Sequence, residues 1–403
     1  MKKTELLLPA GNMEKLKVVL HYGADAVYLG GNLFNLRALA DNFSKEKLEE
    51  AVKYTHSLGK KVYVTLNIIP HNKELELMPE YVKFLEKIKV DGVIVADLGV
   101  FRIVKQNTNL NISISTQANN TNWQSVQMWK ELGAKRVILA RELSLQEIKE
   151  IREKVPDIEL EAFIHGAMCM AISGRCLLSN YMTGRDANRG TCAQPCRWNY
   201  SLMEEKRPGE FFPVFEDENG THIFNSKDLC AINFINEVLD IGLDSVKIEG
   251  RMKGIYYAAV VGKVYREAID NYYSGNHRYN PKWLEELETT SHRKFTSGFY
   301  YGGKGEGMQN YDERNSYSQS HILVAKVLEK VGENEYILGI RNKLKSGEKV
   351  EVLNAKNKIV EFEFPEMIDQ KNQEIINEAN PNTTVEIKIE TNLESLDLIR
   401  KRK

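Results

Sequence analysis

The sequence predicts an α/β protein: a TIM-like (βα)8 barrel with a cysteine-rich insertion after strand seven, plus a small C-terminal antiparallel β-barrel domain. Three observations point there. Through about residue 250, short β-branched runs alternate with amphipathic helical stretches, the pattern of a parallel sheet. Eight such runs are present, the number that closes a barrel. From Ile322 the pattern changes to short alternating strands, which suits a small antiparallel barrel or sandwich.

The first run is Glu5–Leu8, followed by Met13–Tyr22, whose apolar spacing suits a helix, and by a turn at Gly23. The remaining runs are Ala26–Leu29, Lys61–Leu66, Gly92–Ala96, Ile112–Thr116, Arg136–Ala140, Glu159–Ile164 and Ser245–Ile248. Helical stretches follow at Lys45–Leu58, Met78–Lys89, Trp123–Leu132 and Leu145–Val155. A doubly wound open sheet is the rival arrangement. It would need a phosphate-binding glycine fingerprint, and Gly30-Gly31 alone does not supply one.

Strands seven and eight are separated by roughly 80 residues, where a short βα unit needs only about 24. All five cysteines fall at the start of that stretch or within it. An insertion there projects from the C-terminal face, where barrel enzymes carry their chemistry. Ile255–Tyr273 reads as the helix that closes the barrel. The domain limits that follow are residues 1–275 for the barrel with its insertion at 166–243, 276–320 for a linker wrapping over the barrel, 321–395 for the small β domain and 396–403 for a basic tail. Within 321–395 the strands are Leu323–Leu328, Glu335–Ile340, Lys349–Val352, Val360–Phe364 and Thr384–Ile389.

The chain has 403 residues and a net charge of −1, so no global field calls for nucleic acid or membrane. Arg400-Lys401-Arg402-Lys403 reads as a solvated tail. The N-terminus runs straight into a strand, without the apolar core of a signal peptide, and no run approaches 18 apolar residues. A soluble, cytoplasmic protein with no membrane partner is the expectation. An odd number of clustered cysteines is not a disulfide framework in that compartment.

Cys169-x6-Cys176-x15-Cys192-x3-Cys196, interleaved with Gly174, Gly184 and Gly190, is the strongest chemical signal. Four thiolates can hold a [4Fe–4S] cluster or a structural zinc. Neither cysteine pair has the two-residue spacing usual for zinc, and buried, unligated thiols are the plain alternative. Cys230 is the ambiguous fifth, since it precedes an apolar helix and suits a core position, yet it could replace Cys196.

A second constellation lies at the C-terminal ends of the predicted strands: Asn12, Asn67, Asp97, Gln117, Arg141, Glu142, His165, Lys247, Glu249 and Arg251. A closed barrel brings such residues to one mouth. Asn12, Asn67, Asp97, Gln117 and Lys247 are the candidates for substrate binding, and His165, Arg141, Glu249 and Arg251 for catalysis. Lys247-Ile248-Glu249-Gly250-Arg251 is the densest piece, and charges there must be paired or face a polar site. Arg251 and Arg141 suit a small-molecule carboxylate. His165 suits an acid, a base or a plain structural hydrogen bond. The motifs of serine hydrolases and of zinc metalloproteases are missing.

Around the first cysteines, Glu161-x-Phe163-x2-Gly166-Ala167-Met168-Cys169-x4-Gly174-x-Cys176-x-Leu178-Ser179 resembles the signature of the collagenase-like peptidase family, numbered U thirty-two. Leu8–Asn12, Gly23–Tyr28, Arg189–Cys192 with Cys196-Arg197-Trp198, and Lys247–Arg251 match as well, so the resemblance spans residues 1 to about 300. The layout is similar to the subgroup of prephenate-dependent tRNA uridine hydroxylases. Asp186-Ala187-Asn188 and Cys192-x3-Cys196-Arg197-Trp198 point to that subgroup. The resemblance implies hydroxylation of the wobble uridine to 5-hydroxyuridine, a cluster on Cys169, Cys176, Cys192 and Cys196, prephenate as co-substrate, and the tRNA anticodon loop as partner. The electron donor stays unidentified. A peptidase acting on unfolded or collagen-like chains and a zinc-containing binding module are the alternatives. Arg341, Lys343, Lys345 and Lys349 in the small domain are candidates for phosphate contacts, or simply a solvated hairpin.

Overall fold

The computed structural model describes residues 3–35, 42–168, 227–302, 317–356 and 359–403, and inside the insertion residues 176, 178–185, 187, 191–193 and 195 with short strand segments between 202 and 222. Eight parallel strands form the barrel: β1 (Glu5–Pro9), β2 (Ala26–Leu29), β3 (Lys61–Leu66), β4 (Gly92–Val95), β5 (Ile112–Ile114), β6 (Arg136–Ile138), β7 (Glu159–Ala167) and β8 (Ser245–Ile248). Each pairs with its successor, and β8 pairs with both β7 and β1, so the sheet is closed. The outer helices are α1 (Met13–His21), α2 (Lys45–Ser57), α3 (Met78–Lys87), α4 (Leu98–Asn107), α5 (Trp123–Leu132), α6 (Leu145–Lys154), α7 (Ile235–Asp240) and α8 (Ile255–Tyr273).

One of these helices, α4, is not singled out by the sequence pattern; α7 is the apolar helix expected after Cys230. In α4 the buried Val100, Phe101 and Val104 make one apolar stripe, and the Asp97 carboxylate caps its first turn. Three strand ends of the barrel also differ from expectation by two residues or more. β5 and β6 stop two residues early, the chain after β5 turning into the 3-10 turn Thr116–Ala118. β7 runs on to Ala167 because it acquires a second neighbour there: Asp228–Cys230 pairs antiparallel with His165–Ala167. The edge strand Phe295–Thr296 then adds beyond it.

The segment 276–320 is therefore more than a wrapping linker. It contains the helix Lys282–Leu287, whose Trp283 and Leu287 are buried, and this edge strand. The basic tail expected at 396–403 is likewise corrected. Leu398–Arg402 is a central strand of the small domain, hydrogen-bonded to His321–Gly332 on one side and Lys349–Leu353 on the other. A buried, ion-paired charge hides the strand: Leu398, Ile399 and Arg400 are buried in succession, Arg400 against Glu286 and Glu351.

The small domain is an antiparallel half-barrel around Val324, Val327, Tyr336, Leu338, Val385 and Ile387. It docks on the barrel through α1 and α8. The Tyr22 hydroxyl donates to the Leu353 carbonyl at 2.5 Å and accepts from Leu398 N at 3.1 Å. Arg400, buried, bonds Glu351 at 2.7 Å, Tyr256 at 3.0 Å and Glu286. Glu14 of α1 meets Lys326 and Arg341 across the same interface. No helix among the described residues is long and apolar enough to cross a membrane.

At the strand starts the inward face of the barrel carries charges, while Leu7, Ile94, Ile138 and Phe163 share that face. Arg136, entering from β6, bonds Glu5 of β1 at 2.8 Å, Glu161 of β7 at 2.9 Å and Glu159 at 2.9 Å. Lys247 of β8 bonds the other Glu161 oxygen at 3.1 Å, and Lys61 of β3 bonds Glu5 at 3.0 Å. Arg136 also lies over the Tyr63 ring. Burial alone would push the Glu161 carboxyl up; Lys247 and Arg136 outweigh it and hold the carboxyl below its ordinary value.

Replacing Arg136 with Met would leave three carboxylates without their shared cation, and should cost about 3–5 kcal/mol of stability in chemical denaturation. The acid side has a defined sign. A lowered native value means that Glu161 contributes fully above about pH 4.3 and loses that contribution as pH falls through its native value. Denaturation midpoints measured from neutral to acid pH should therefore fall less steeply in Glu161→Gln than in the parent protein.

Candidate functional site at the barrel mouth

The C-terminal strand ends do converge. Asn12 follows β1 and accepts from Lys15 N at 2.9 Å, so its side chain caps α1, and Asp97 caps α4 by accepting from Val100 N at 3.0 Å. These two are held by their helices at the rim. Asn67 after β3 donates to the Gln117 Oε1 after β5 at 2.8 Å. β4 lies between those two strands, so this bond must cross the inside of the mouth. Gln117 is only 4% exposed, and its Nε2 has no partner among the described residues.

Arg251, in the turn after β8, is buried and reaches over to the loop after β2. It donates to Asn42 Oδ1 at 2.6 Å and Asn35 Oδ1 at 3.3 Å. Gly30 makes room for it, since a Cβ there would lie 2.5 Å from Arg251 Nη1. Lys15 clamps the same turn from below, donating to the Gly250 carbonyl at 2.8 Å and the Arg251 carbonyl at 3.0 Å. Glu249 is half-buried and accepts from the Tyr28 hydroxyl at 3.2 Å. Gly166, with φ of +113°, lets the end of β7 press against the Glu249 carbonyl, where any side chain would collide.

Lys247 lies deeper than the rim. It is buried, paired with Glu161, and stands over the Tyr28 ring at 4.4 Å. Phe163 of β7 is placed between two cations, Lys247 at 5.6 Å and Arg141 at 4.9 Å. Arg141, at the end of β6, is half-buried and donates to the Ala167 carbonyl at 2.7 Å.

His165 is not part of this convergence. Its ring is packed among Tyr257, Tyr265 and Phe295, on the side where α8 and the edge strand cover the barrel, and Nδ1 lies 3.3 Å from the Tyr265 hydroxyl. Burial, with the nearby charges of His292 and Lys253 and against that of Asp228, lowers its pKa to about 3. It is a neutral imidazole in an aromatic box. Tyr28 and Phe163 are site residues that the sequence reading missed. The period-two alternation of β2 and β7 places both on the same face as charged interior residues, and that signal was available. For Asn35 and Asn42 no sequence signal exists.

Of the cysteines, Cys169 and Cys196 lie outside the described residues. Cys176 and Cys192 are half-buried. Their segments are tied together: Ala193 N donates to Ser179 Oγ at 2.9 Å, and Arg185 Nε to the Thr191 carbonyl at 3.0 Å. Ser179 sits in the short helix Leu178–Thr183 that begins just after Cys176. Two of the four thiols are thus on adjoining backbone, which fits a shared inorganic ligand. Cys230 fits it poorly. Burial pushes its thiol up to about 12, and its sulfur lies 3.8 Å from the Tyr265 hydroxyl, facing α8.

In the small domain, the basic stretch is occupied by carboxylates. Lys343 and Lys345 pair with Glu378 at 2.6 and 3.3 Å, Lys349 with Glu361 at 4.0 Å, and Arg341 with Glu14. Such exposed pairs contribute little and exchange readily for other anions.

The model of "Peptidase family U32" matches residues 11–310, and that of its C-terminal domain matches residues 319–400. "tRNA hydroxylation protein P1" of Bacillus subtilis is 46% identical over 77% of this chain and 74% of its own length. "tRNA hydroxylation protein P" of Escherichia coli is 39% identical over 85% of this chain and 84% of its own. A protein named "Collagenase" from Porphyromonas gingivalis is 32% identical over 76% of each chain.

The His165 environment makes a direct expectation. In carbon-detected or imidazole proton NMR its ring should not titrate between about pH 8 and pH 5, where an ordinary histidine near 6.5 would. A lowered native value also means that stability contributed by the neutral ring is complete above about pH 6.5 and declines as pH falls below it.

Proposed function

The chain belongs to peptidase family U32, and from that premise we propose that it is a tRNA-modifying enzyme that hydroxylates the wobble uridine to 5-hydroxyuridine. The observation that carries this reading is the 39–46% identity, over three quarters or more of the chain, to proteins named for tRNA hydroxylation. Family membership alone does not choose, because the collagenase-named relative shares it at 32%. The mouth adds weight. Among the described residues no serine or cysteine there is hydrogen-bonded to a histidine, and His165 is a neutral ring turned toward α8. A nucleophile–base pair for peptide cleavage would need such a contact.

The cofactor in this proposal is a [4Fe–4S] cluster on Cys169, Cys176, Cys192 and Cys196. The adjoining positions of the Cys176 and Cys192 segments support it, and the buried thiol of Cys230 argues for leaving that residue in the core. When bound, the cluster would supply electron transfer at the mouth. The co-substrate is a small acid resembling prephenate. The chain's own contribution is binding and orientation: Arg141, Gln117 and Asn67 present donors at one side of the mouth, while Arg251 and Lys15 hold the turns after β2 and β8 in register. The wobble base, already single-stranded in the anticodon loop, would unstack into that mouth.

Deletion of the gene should remove 5-hydroxyuridine from total tRNA nucleosides, and the parent protein should restore it. Purified without oxygen, the parent should hold about four irons per chain with broad absorption near 400 nm. Cys176→Ala and Cys192→Ala should each lose that absorption and fail to restore the nucleoside, while Cys230→Ala keeps both. An unchanged nucleoside profile on deletion would sink the tRNA reading. Degradation of denatured collagen that survives metal chelators would then favour the peptidase, and zinc without iron the binding module.

A further inference from the structure

We propose that the corner of the mouth at the ends of β5 and β6 is a carboxylate subsite. In it Arg141 takes the carboxylate of a small oxo- or dicarboxylic acid, and Gln117 donates to the acid's second oxygen function. This rests on the reading above that a small acid is co-substrate, and it separates two arginines that the sequence treats alike.

Arg251 is buried, with Nη1 and Nη2 donating to the Asn35 and Asn42 side-chain oxygens, so both terminal nitrogens of its guanidinium tie the β2 loop to the β8 turn. Arg141 is different in each respect. It is half-buried, so solute reaches it. Among the described residues its hydrogen bond goes through Nη1 to the Ala167 carbonyl. No carboxylate stands within ion-pairing distance of it among the described residues. Among the described residues the guanidinium has donors left beyond that bond.

That group is also held in place. The guanidinium lies 4.9 Å from the Phe163 ring centre, and the ring is itself backed by Lys247. A guanidinium fixed by a ring and a carbonyl loses little freedom on binding a planar anion, which is what two parallel hydrogen bonds to a carboxylate require.

Gln117 supplies the second, independent observation. It stands at the end of β5, next to β6 in the sheet. Its side chain is 96% withdrawn from solvent, 4% being exposed, and Asn67 Nδ2 occupies Oε1, which turns the amide so that Nε2 is a donor without a partner among the described residues. A buried donor left unmatched is unfavourable, and an acceptor oxygen arriving with a ligand removes that cost. The loops that carry the two residues touch, Thr116 Oγ1 donating to the Leu139 carbonyl at 3.1 Å and Ala140 N to the Asn120 carbonyl at 3.1 Å. The corner therefore presents one cation and one neutral donor, complementary to an acid and mismatched to a neutral or cationic ligand.

The test is calorimetric titration of the intact, anaerobically prepared protein with prephenate as the probe, without tRNA. Arg141→Lys keeps the charge and removes the fork; Arg141→Met removes both; Gln117→Met removes the amide donor. All three should bind prephenate at least tenfold more weakly than the parent while melting within a degree or two of it. In turnover the Arg141→Lys variant should raise KM for the acid far more than it lowers kcat, a split that a merely structural role would not give. Parent-like affinity in both Arg141 variants overturns the subsite, as does a parent protein that binds no prephenate at millimolar concentration. Nucleoside analysis reads the tRNA assignment separately. An Arg141-dependent acid site with unchanged tRNA nucleosides would keep this inference and remove that assignment; hydroxylated tRNA with unaltered Arg141→Lys affinity would do the reverse.

Discussion

Arg136 is the constraint on which the barrel depends. A closed eight-stranded sheet must fill its own interior, and apolar layers are the usual solution. Here one layer of the filling is a lattice of opposite charges, with Arg136 joining β6 to β1 and β7 through three carboxylates and Lys247 extending it to β8. Strands β6, β7, β8 and β1 are also the ones at which the sheet closes on itself. Charges taken out of water are worth keeping only where every partner is in place. That demand makes closure specific: a slip of one residue in β7 would turn Glu159 and Glu161 outward and leave Arg136 unmatched.

The same interior sets the character of the mouth above it. Lys247, already paired from below, presents its charge upward against Tyr28 and Phe163, and these rings carry the order on to Glu249 and Arg141. A packed apolar core would end in a passive floor. This one ends in oriented rings and donors, so the groups at the mouth are held by the groups that close the barrel. Backbone contacts complete the frame, with Gly166 allowing β7 to touch the Glu249 carbonyl and Lys15 gripping the turn through Arg251.

The small domain is joined to this frame rather than tethered beside it. Its last strand carries Arg400 into a buried cluster with Glu286, Glu351 and Tyr256, and α1 offers Tyr22 and Glu14 to the same face. Since α1 begins at Asn12 on the rim, the docking face and the mouth share one helix. The carboxylate partners of its basic residues leave the half-barrel with little uncompensated charge along that stretch.

Much of this was legible in the amino-acid order. Eight β-branched runs, the long interval before the eighth and the change of period near Ile322 are local properties, and each follows from which face of a strand or helix must be apolar. The polar strand ends were readable for the same reason. What the order of residues left undecided is everything that depends on distance between strands. Asn12 and Asp97 cap helices, Arg251 is bound by Asn35 and Asn42, and His165 belongs to the aromatic box beneath α8, although each stands at a strand end. The strand Leu398–Arg402 looked like a solvated tail because its charges find their partners on segments more than forty residues away. Sequence determines which residues reach the mouth; the closure of the barrel and the packing of α8 and the small domain against it decide which of them still have a hydrogen bond or a charge to offer once they arrive.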